Sequence, residues 1–373
     1  MIHTALLSYP LHDNHELFTA FKKLKSTIYD YDKKRYYNKA LSEYGIYLRT
    51  YSPDGLPYSI YLLCTFDLKR IVNSDGKKTV DVFSSSELDI LTHNFDYHMK
   101  SLLSELPGLS DWNCNRIDYA VNIETPYIRE YLLLMRKGDF GKYKLNEESK
   151  KDGGSIYLES TAKHGSIRMN IYSKEDEIAS KIDSYKIGNI DEYLSESKNI
   201  LRVEIQCLNP KTSYLKRKYK MDKKNLQNFV DLDKAYYEFR YYLNKLAGSA
   251  PYHKKSVILE MIENPNNKIS LPVRNRMKRF VEDLSKQHSS IKKVKNKYIE
   301  KNIMTKNELT NVTRRFKELG INPVPIPKNS GGYKGINKDK GLPSLLSLVE
   351  QKLRLETMND SDEFLAIGND YFR

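Results

Sequence analysis

The chain has 373 residues, of which 39% are hydrophobic and 29% are charged, and its formal net charge is +14. This hydrophobic fraction excludes a chain that is disordered throughout, and no apolar run approaches the roughly 18 residues of a transmembrane helix. The first residues lack a basic region and a small-residue cleavage site. The sequence therefore predicts neither a secreted nor a membrane protein, and we expect a cytoplasmic location.

The charge and the aromatic content indicate the kind of partner. A basic excess of this size favours a polyanion, most often nucleic acid. The chain has 29 Tyr against 12 Phe and 1 Trp, and tyrosine can stack on bases, although it also serves as a half-buried strand residue. Cys64, Cys114 and Cys207 have no CxxC spacing, so we expect core residues and not a zinc site or a disulfide set.

Local patterns predict strands and helices in the first part of the chain. Residues 44–51 and 58–67 are rich in β-forming side chains and flank a turn at 52–55. A helix follows, opened by a capping box of Ser84 and Glu87. Its apolar residues recur at spacings of three and four: Leu88, Leu91, Phe95, Met99, Leu102 and Leu106.

The later part of the chain predicts more helices. Thr125 and Pro126 match the cap and the first position of one of them. Thr305 and Glu308 form a second capping box, and Gly320 is the expected C-terminal cap of that helix. The apolar stripe of a further helix consists of Val273, Met277, Phe280 and Leu284.

Three strand-like segments between residues 115 and 207 share one pattern, an apolar side that alternates with a polar side. A sheet that holds the three segments side by side would gather two carboxylates, a tyrosine and several cations on one surface. The residues on the polar side are Arg116, Asp118, Ala120 and Asn122, then Arg168, Asn170, Tyr172 and Lys174, then Arg202, Glu204 and Gln206.

Such a surface can support phosphodiester chemistry. Asp118 and Glu204 on adjacent strands can hold Mg²⁺ or Mn²⁺, which are hard ions that take oxygen ligands and polarise a phosphodiester. Tyr172 can attack phosphorus when nearby cations favour its phenolate, which leaves a phosphotyrosine and a free 3′-OH. The cations that would neutralise the transition state are Arg168, Lys174 and Arg202.

The same alternation is also typical of an ordinary antiparallel sheet with one solvated face, where Arg–carboxylate pairs are common. Within the catalytic interpretation there is a second candidate nucleophile. Tyr157 lies on the segment 155–160 and shares a face with Ser155 and Glu159. The residues alone do not separate Tyr157 from Tyr172.

The ordered succession of three motifs resembles the replication initiators of filamentous phages, the gene II replication proteins, and the related initiators of small rolling-circle plasmids. These families carry an R-I-D strand, a Y-x-K-x-x-E segment and an R-[FV]-E strand in this order. The matching segments are NRIDYAVN at 115–122, HGSIRMNIYSKEDEI at 164–178 and LRVEIQC at 201–207. VTRRFKELGINPV at 312–324 is similar to a helix near the end of the phage proteins, so the resemblance covers residues 1–325.

The resemblance implies a metal-dependent enzyme that nicks and closes one strand of an origin to start rolling-circle replication. Asp118 and Glu204 match the acidic positions, Tyr172 matches the motif tyrosine, and Lys174 and Glu177 complete the Y-x-K-x-x-E segment. The match favours Tyr172 as the nucleophile over the tyrosine of the neighbouring segment.

One feature of the wider superfamily is missing, because no two histidines stand two positions apart as in its His-hydrophobic-His metal motif. Carboxylates would therefore provide most of the metal ligands. His164 is either a third ligand or a residue of the turn before the tyrosine strand. Arg116 of the R-I-D strand is a further candidate site residue.

Two basic segments fit a DNA substrate, one just after the glutamate strand and one at the start of a later helix. Both patterns are equally typical of solvated helix faces. If they bind DNA, affinity should fall steeply with salt. The residues are Lys216, Arg217, Lys218 and Lys220 in the first segment, and Arg274, Arg276, Lys278 and Arg279 in the second.

The sequence thus predicts an α+β fold. A largely antiparallel sheet with packed helices forms the nicking domain at 1–210, a basic helical DNA-binding region follows at 211–321, and a Pro/Gly-rich loop with a C-terminal helix and tail occupies 322–373. The predicted partners are double-stranded origin DNA, the displaced single strand, a host helicase and a host polymerase, and no membrane. The alternatives are a conjugative relaxase with the same chemistry and a non-catalytic origin-binding repressor or partition protein.

Overall fold

The computed structural model describes residues 1–11, 14–53, 60–73, 77–145, 154–161, 165–181, 190–328, 330–337 and 340–360. Over these residues the fold is α+β, as predicted, with helices packed on one antiparallel sheet of ten strands. The strands are β1 (Ile2–Pro10), β2 (Thr27–Asp30), β3 (Arg35–Asn38), β4 (Ile46–Tyr51), β5 (Tyr61–Asp67), β6 (Asn113–Glu124), β7 (Tyr143–Leu145), β8 (Ile156–Ser160), β9 (Ile167–Ser173) and β10 (Ile200–Cys207).

The strand order across the sheet is β2-β3-β4-β5-β1-β6-β10-β9-β8-β7. The first strand of the chain therefore lies in the middle of the sheet, between β5 and β6, and β10 lies between β6 and β9. This order matters for the site, because it brings the N-terminus of the chain beside strands that follow it by more than 100 residues.

The helices of the first half are short except for α3, and those after β10 form the basic C-terminal part. α7 and α13 both contact β6, and α13 also packs on α8, so the end of the chain returns to the sheet. The helices are α1 (His15–Lys23), α2 (Leu68–Val72), α3 (Leu88–Leu102), α4 (Ile128–Arg136), α5 (Lys174–Ala179), α6 (Ile190–Glu196), α7 (Asn209–Lys218), α8 (Leu232–Ala247), α9 (Lys255–Glu263), α10 (Leu271–Leu284), α11 (Ile291–Glu300), α12 (Lys306–Glu318) and α13 (Leu345–Asp360).

The main core lies between the apolar face of the sheet and these helices. α3 follows the predicted capping box, and its predicted stripe is buried at Leu91, Phe95 and Met99. The Phe95 ring packs against Phe66 of β5, with the centroids 5.3 Å apart, and against Trp112. Burying aromatic rings of this size contributes much of the stability that holds α3 to the sheet.

The other local predictions hold with corrections to their bounds: α3 ends at Leu102, four residues before the predicted Leu106, and β4 begins at Ile46 and not at Tyr44. The second capping box precedes α12, and Gly320 follows that helix at a positive φ of 61°. The prediction of a helix that starts at Pro126 is wrong by two residues, since α4 begins at Ile128. The Thr125 hydroxyl accepts from the backbone N–H of Tyr127 at 3.2 Å, so it caps the turn before the helix.

The three cysteines are free and buried, as predicted. None of the helices in the described ranges is both long and apolar enough to cross a bilayer. The predicted turn at 52–55 lies partly outside the described residues. The predicted domain boundaries stay predictions.

Candidate active site

The three motif strands lie side by side, as the sequence predicted, in the order β6, β10 and β9. Gln206 of β10 pairs with Asp118 of β6, and Glu204 pairs with Asn170 of β9. Because side chains alternate along a strand, these residues share one side of the sheet, opposite to the main core. We call this side of β6, β10 and β9 the polar face.

A tyrosine and a glutamate form the centre of the polar face. The Tyr172 hydroxyl donates to Oε1 of Glu204 at 2.7 Å, and Nδ2 of Asn170 donates to Oε2 of the same carboxylate at 3.2 Å. Tyr172 is 5% exposed and Glu204 is 4% exposed. The hydroxyl of the predicted nucleophile is thus hydrogen-bonded to the carboxylate that the sequence singled out.

A histidine that sequence reasoning missed completes this centre. Nδ1 of His3 lies 3.2 Å from Oε1 of Glu204. The pairing of β1 with β6 shifts register between Ile2 and Thr4, and Ile2 and Ala5 are both buried. Such a bulge turns the intervening side chains to the opposite face. The sequence signal was that the apolar residues Ile2 and Ala5 stand three positions apart, whereas a regular strand places residues of one face two positions apart.

The charges around the centre set two pKa values in opposite directions. Burial by itself raises the pKa of Glu204, but the hydrogen bond and charge of His3, with Arg202, outweigh it and hold that pKa well below its usual range. Burial, and then the Glu204 carboxylate, raise the pKa of Tyr172 well above its ordinary value, while Arg202 opposes them. The free protein therefore holds a neutral phenol against an ionised carboxylate.

Arg202 is fully buried beside Tyr172 and is fixed by two acceptors. Nε donates to Oδ1 of Asn122 at 2.8 Å, and Nη2 donates to the carbonyl oxygen of Val80. Arg202 also stands directly opposite Tyr172 in the pairing of β10 with β9. Its positive charge is thus held in a defined place, where it favours the phenolate form of Tyr172.

A small second apolar cluster covers the Arg202 end of the polar face. It consists of Val80, Ile178 of α5 and Tyr193 of α6. The predicted Lys174 begins α5 under this cover and is 3% exposed. Its ammonium lies 2.9 Å from the Glu177 carboxylate, so the two motif residues form a buried ion pair near the tyrosine.

Glu177→Gln should destabilise the protein at neutral pH. Burial opposes ionisation of Glu177, but Lys174, with Lys181, lowers its pKa to about 2. Because this pKa lies below that of the unfolded chain, the ion pair stabilises the fold above about pH 4.3 and is lost as the pH falls through 2. We expect the free energy of unfolding to fall by roughly 1–3 kcal/mol at pH 7.

Denaturant unfolding of the Gln variant and the wild type at pH 7 and at pH 4 measures this effect. The difference between the two proteins should shrink at the lower pH. Asp176→Asn changes an exposed carboxylate on the same helix and should stay within about 0.5 kcal/mol of the wild type. A difference that is constant with pH would contradict the ion-pair explanation.

Asp118, the second predicted metal ligand, lies at the other end of the polar face and is 2% exposed. Nε of Arg116 lies 3.1 Å from Oδ1, and Gln206 donates to Oδ2 at 3.4 Å. Oδ1 is buried and accepts no hydrogen bond. Burial is the main reason that the pKa of Asp118 rises to about 7. The charge of Arg116 lowers this pKa, whereas the charge of Glu204 raises it.

The donor set for a metal ion is incomplete in the described part of the chain. No group of three or more His, Cys, Asp or Glu side chains is placed there to hold an ion. Oδ1 of Asp118 is a carboxylate oxygen that accepts no hydrogen bond. Carboxylate oxygens are ligands that Mg²⁺ and Mn²⁺ prefer. A metal ion held by Asp118 and Glu204 stays a prediction.

The remaining candidates lie at the margin of the site. Arg168 is half exposed, with Nε 3.4 Å from Oε1 of Glu159 on β8. Tyr157 lies one strand further out, paired with Asn170, and the Tyr172 hydroxyl contacts Glu204. His164 lies outside the described residues.

Positive charge continues from the site across the neighbouring strands, which sequence reasoning also missed. Arg49 of β4 has no carboxylate partner among the described residues. Burial lowers its pKa, and the nearby Arg35 and Arg116 lower it further. Arg116 and Arg35 lie beside Asp118 and Asp30, so Arg49 is the member of this group whose charge favours an added anion.

The two basic segments differ in how much of their charge is free. In the second segment, Arg274 and Lys278 contact the Glu263 carboxylate, and Arg276 contacts Glu308. The first segment, on and after α7, is more open to solvent, since three of its four cations are exposed: Arg217, Lys218 and Lys220. DNA contact by either segment stays a prediction.

The comparison with known proteins finds a likeness among solved structures. No protein-family profile matches the chain, and no match was found among curated proteins. The chain is similar to the solved structure of a rolling circle replication initiator protein from Geobacillus stearothermophilus, at 11% identity and a TM-score of 0.30, over 58% of this chain and 77% of that one. A likeness of this extent assigns no role to any residue of the site.

Proposed function

We propose that this chain is a DNA nicking and closing enzyme that initiates rolling-circle replication of a filamentous phage or a plasmid. Tyr172 is its nucleophile. The observation that carries the proposal is the hydrogen bond from the Tyr172 hydroxyl to Glu204 on adjacent motif strands. A surface tyrosine of an ordinary solvated sheet face would not be buried against a carboxylate with cations behind it.

The reaction follows from these contacts. The Tyr172 oxygen attacks phosphorus, its proton passes to Glu204, and the bond from phosphorus to the 3′-oxygen breaks. The leaving 3′-oxygen takes a proton from solvent, and the 5′-phosphate stays on the tyrosine. Because one phosphodiester replaces another, a 3′-OH can later attack the phosphotyrosine and rejoin the strand.

Glu204 becomes a better proton acceptor when the substrate arrives. In the free protein His3 and Arg202 hold its pKa low. A phosphate that enters beside the carboxylate adds negative charge, which raises the pKa of the acid. Lys174 and Arg202 would act on the attacked phosphate through their buried charge, and Arg168 is the exposed cation of the three.

Asp118 and Glu204 are the residues that would hold Mg²⁺ or Mn²⁺. A bound ion would polarise the phosphodiester and offset the charge that builds on its oxygens. Support comes from Oδ1 of Asp118, a buried carboxylate oxygen that forms an ion pair with Arg116 at 3.1 Å.

The charge of the chain fits the partners that this reaction requires. Double-stranded origin DNA and the displaced single strand are polyanions, and the net charge is +14. Arg49, which has no carboxylate partner in the described part of the chain, adds positive charge near the site. A host helicase would separate the strands, a host polymerase would extend the 3′-OH, and the reaction would take place in the cytoplasm.

The test is incubation of the protein with supercoiled plasmid that carries the DNA surrounding its gene, with Mg²⁺ or Mn²⁺. We expect nicked circles and a protein–DNA adduct that survives a denaturing gel, and we expect neither in EDTA. DNA binding without any adduct would contradict the proposal and favour a non-catalytic origin-binding protein. An adduct that persists in EDTA would remove the metal from the mechanism.

A further inference from the structure

Four tyrosines line a groove between α7 and α8, away from the polar face. They are Tyr214 of α7 and Tyr237, Tyr241 and Tyr242 of α8, and the cavity they line has a volume of about 280 Å³. We call it the tyrosine groove. We propose that the tyrosine groove binds unpaired bases of single-stranded DNA by stacking, and this inference rests on the proposed function.

The rings are presented to solvent in an ordered way. Tyr214 is 48% exposed, Tyr237 is 37% exposed and Tyr241 is 41% exposed. Tyr237 and Tyr241 are one helical turn apart, with centroids 6.2 Å apart and planes within 13° of parallel. Large apolar rings left exposed in one patch are typical of a binding surface.

Cations accompany the rings. The Lys218 ammonium lies 3.2 Å from the centroid of the Tyr237 ring, and that of Lys245 lies 3.8 Å from the Tyr241 ring. The Lys218 ammonium occupies one face of the Tyr237 ring, so a base would stack on the other face while the ammonium groups contact phosphates. Alternating positive charge and aromatic faces are the features that bind single strands without sequence preference.

A buried ion pair holds the two helices of the groove together. Lys211 of α7 lies 2.8 Å from the carboxylate of Glu238 on α8, and both are buried. The Lys211 ammonium also lies 5.1 Å from the ring centroid of Tyr214 and 5.3 Å from that of Tyr242. The rings are therefore set in a defined frame before any ligand binds, which lowers the cost of binding.

The groove favours a single strand over a duplex. In a duplex the bases are stacked inside, so their faces cannot reach protein rings. The groove also lies next to the strand that carries the nucleophile, since Ser166 lines it and precedes β9. Five residues of β9 lie between Ser166 and Tyr172, a span of about 20 Å along the strand. A strand held in the groove thus lies about 20 Å along β9 from the proposed nucleophile.

Fluorescence anisotropy with a labelled oligo-dT 20-mer and with a duplex of the same length tests the inference. Tyr237→Leu combined with Tyr241→Leu should weaken binding of oligo-dT about tenfold or more and change duplex binding less than twofold. Phenylalanine at the same two positions keeps the rings and should restore binding of oligo-dT. Tyr97→Leu, at a tyrosine of α3 that is 65% exposed, is the matched control and should bind as the wild type does.

Two results would overturn the inference. One is unchanged binding of oligo-dT by the double Leu variant. The other is an equal loss for oligo-dT and duplex, which would indicate a general electrostatic or structural effect. Failure of the proposed function is distinguishable, because oligo-dT binding is measured without the nicking reaction. If the wild type forms the adduct and the Leu changes leave oligo-dT binding unchanged, only the inference about the tyrosine groove is refuted. If the Leu changes weaken oligo-dT binding and the wild type forms no adduct, only the proposed nicking activity is refuted.

Discussion

Tyr172→Phe should abolish the covalent protein–DNA adduct and reduce nicking by on the order of 10⁴-fold or more. The substitution removes the attacking oxygen and keeps the ring that packs beside Arg202. The measurement is the yield of nicked circles and of the adduct in denaturing gels, over time, with Mg²⁺. Binding of origin DNA should be retained, because the change removes no positive charge.

Tyr157→Phe is the matched control for this prediction. It removes the hydroxyl from the tyrosine one strand further out, on the same face of the sheet, and should leave the adduct intact. Mass spectrometry of the digested adduct should place the nucleotide on the peptide that contains Tyr172. Loss of the adduct in Tyr157→Phe, with retention in Tyr172→Phe, would move the nucleophile to β8.

The stability of the Phe variant serves as a second control. Removing the hydroxyl takes one donor from the Glu204 carboxylate, and a buried acceptor that loses a partner costs about 1–3 kcal/mol. Asn170 and His3 still contact that carboxylate, so we expect a value near the lower end. A loss of activity with the unfolding midpoint nearly unchanged therefore reports on chemistry and not on folding.

Structural features that depend on residues close together in the sequence could be predicted. The capping boxes at Ser84 and Thr305 depend on contacts between positions three apart, and both are present. The alternation within each motif strand gave the polar face, because the side-chain period of a strand is two. The start of α4 was missed, since Thr125 followed by Pro126 fits a capped turn as well as a capped helix.

Features that depend on distant segments could not be predicted. His3 reaches Glu204 through a strand that inserts between β5 and β6 and through a bulge in that strand. The carbonyl oxygen of Val80 that fixes Arg202 comes from a segment more than 100 residues away. The partners of the α10 cations come from α9 and α12. No local pattern indicates which loops or helices will meet in these places.

Asp118→Asn should abolish nicking and at the same time make the metal-free protein more stable. Burial raises the pKa of Asp118 to about 7, above that of an unfolded chain, so the ionised form opposes folding. The cost of burying the charged carboxylate in the folded state is absent below about pH 4, grows as the pH rises to 7 and is complete above pH 7. In EDTA at pH 8 we expect a gain of about 1–4 kcal/mol in the free energy of unfolding.

Urea unfolding at pH 5 and pH 8, with EDTA and with Mg²⁺, separates the two parts of this prediction. In EDTA the advantage of Asp118→Asn should be larger at pH 8 than at pH 5. Mg²⁺ should stabilise the wild type more than the variant, because a bound cation offsets the buried charge that the variant lacks. Asp111→Asn, at an exposed position just before β6, should behave as the wild type. Equal stabilisation of wild type and Asp118→Asn by Mg²⁺ would mean that the ion binds elsewhere. If the variant were less stable than the wild type at both pH values, Asp118 would stabilise the fold through its contact with Arg116.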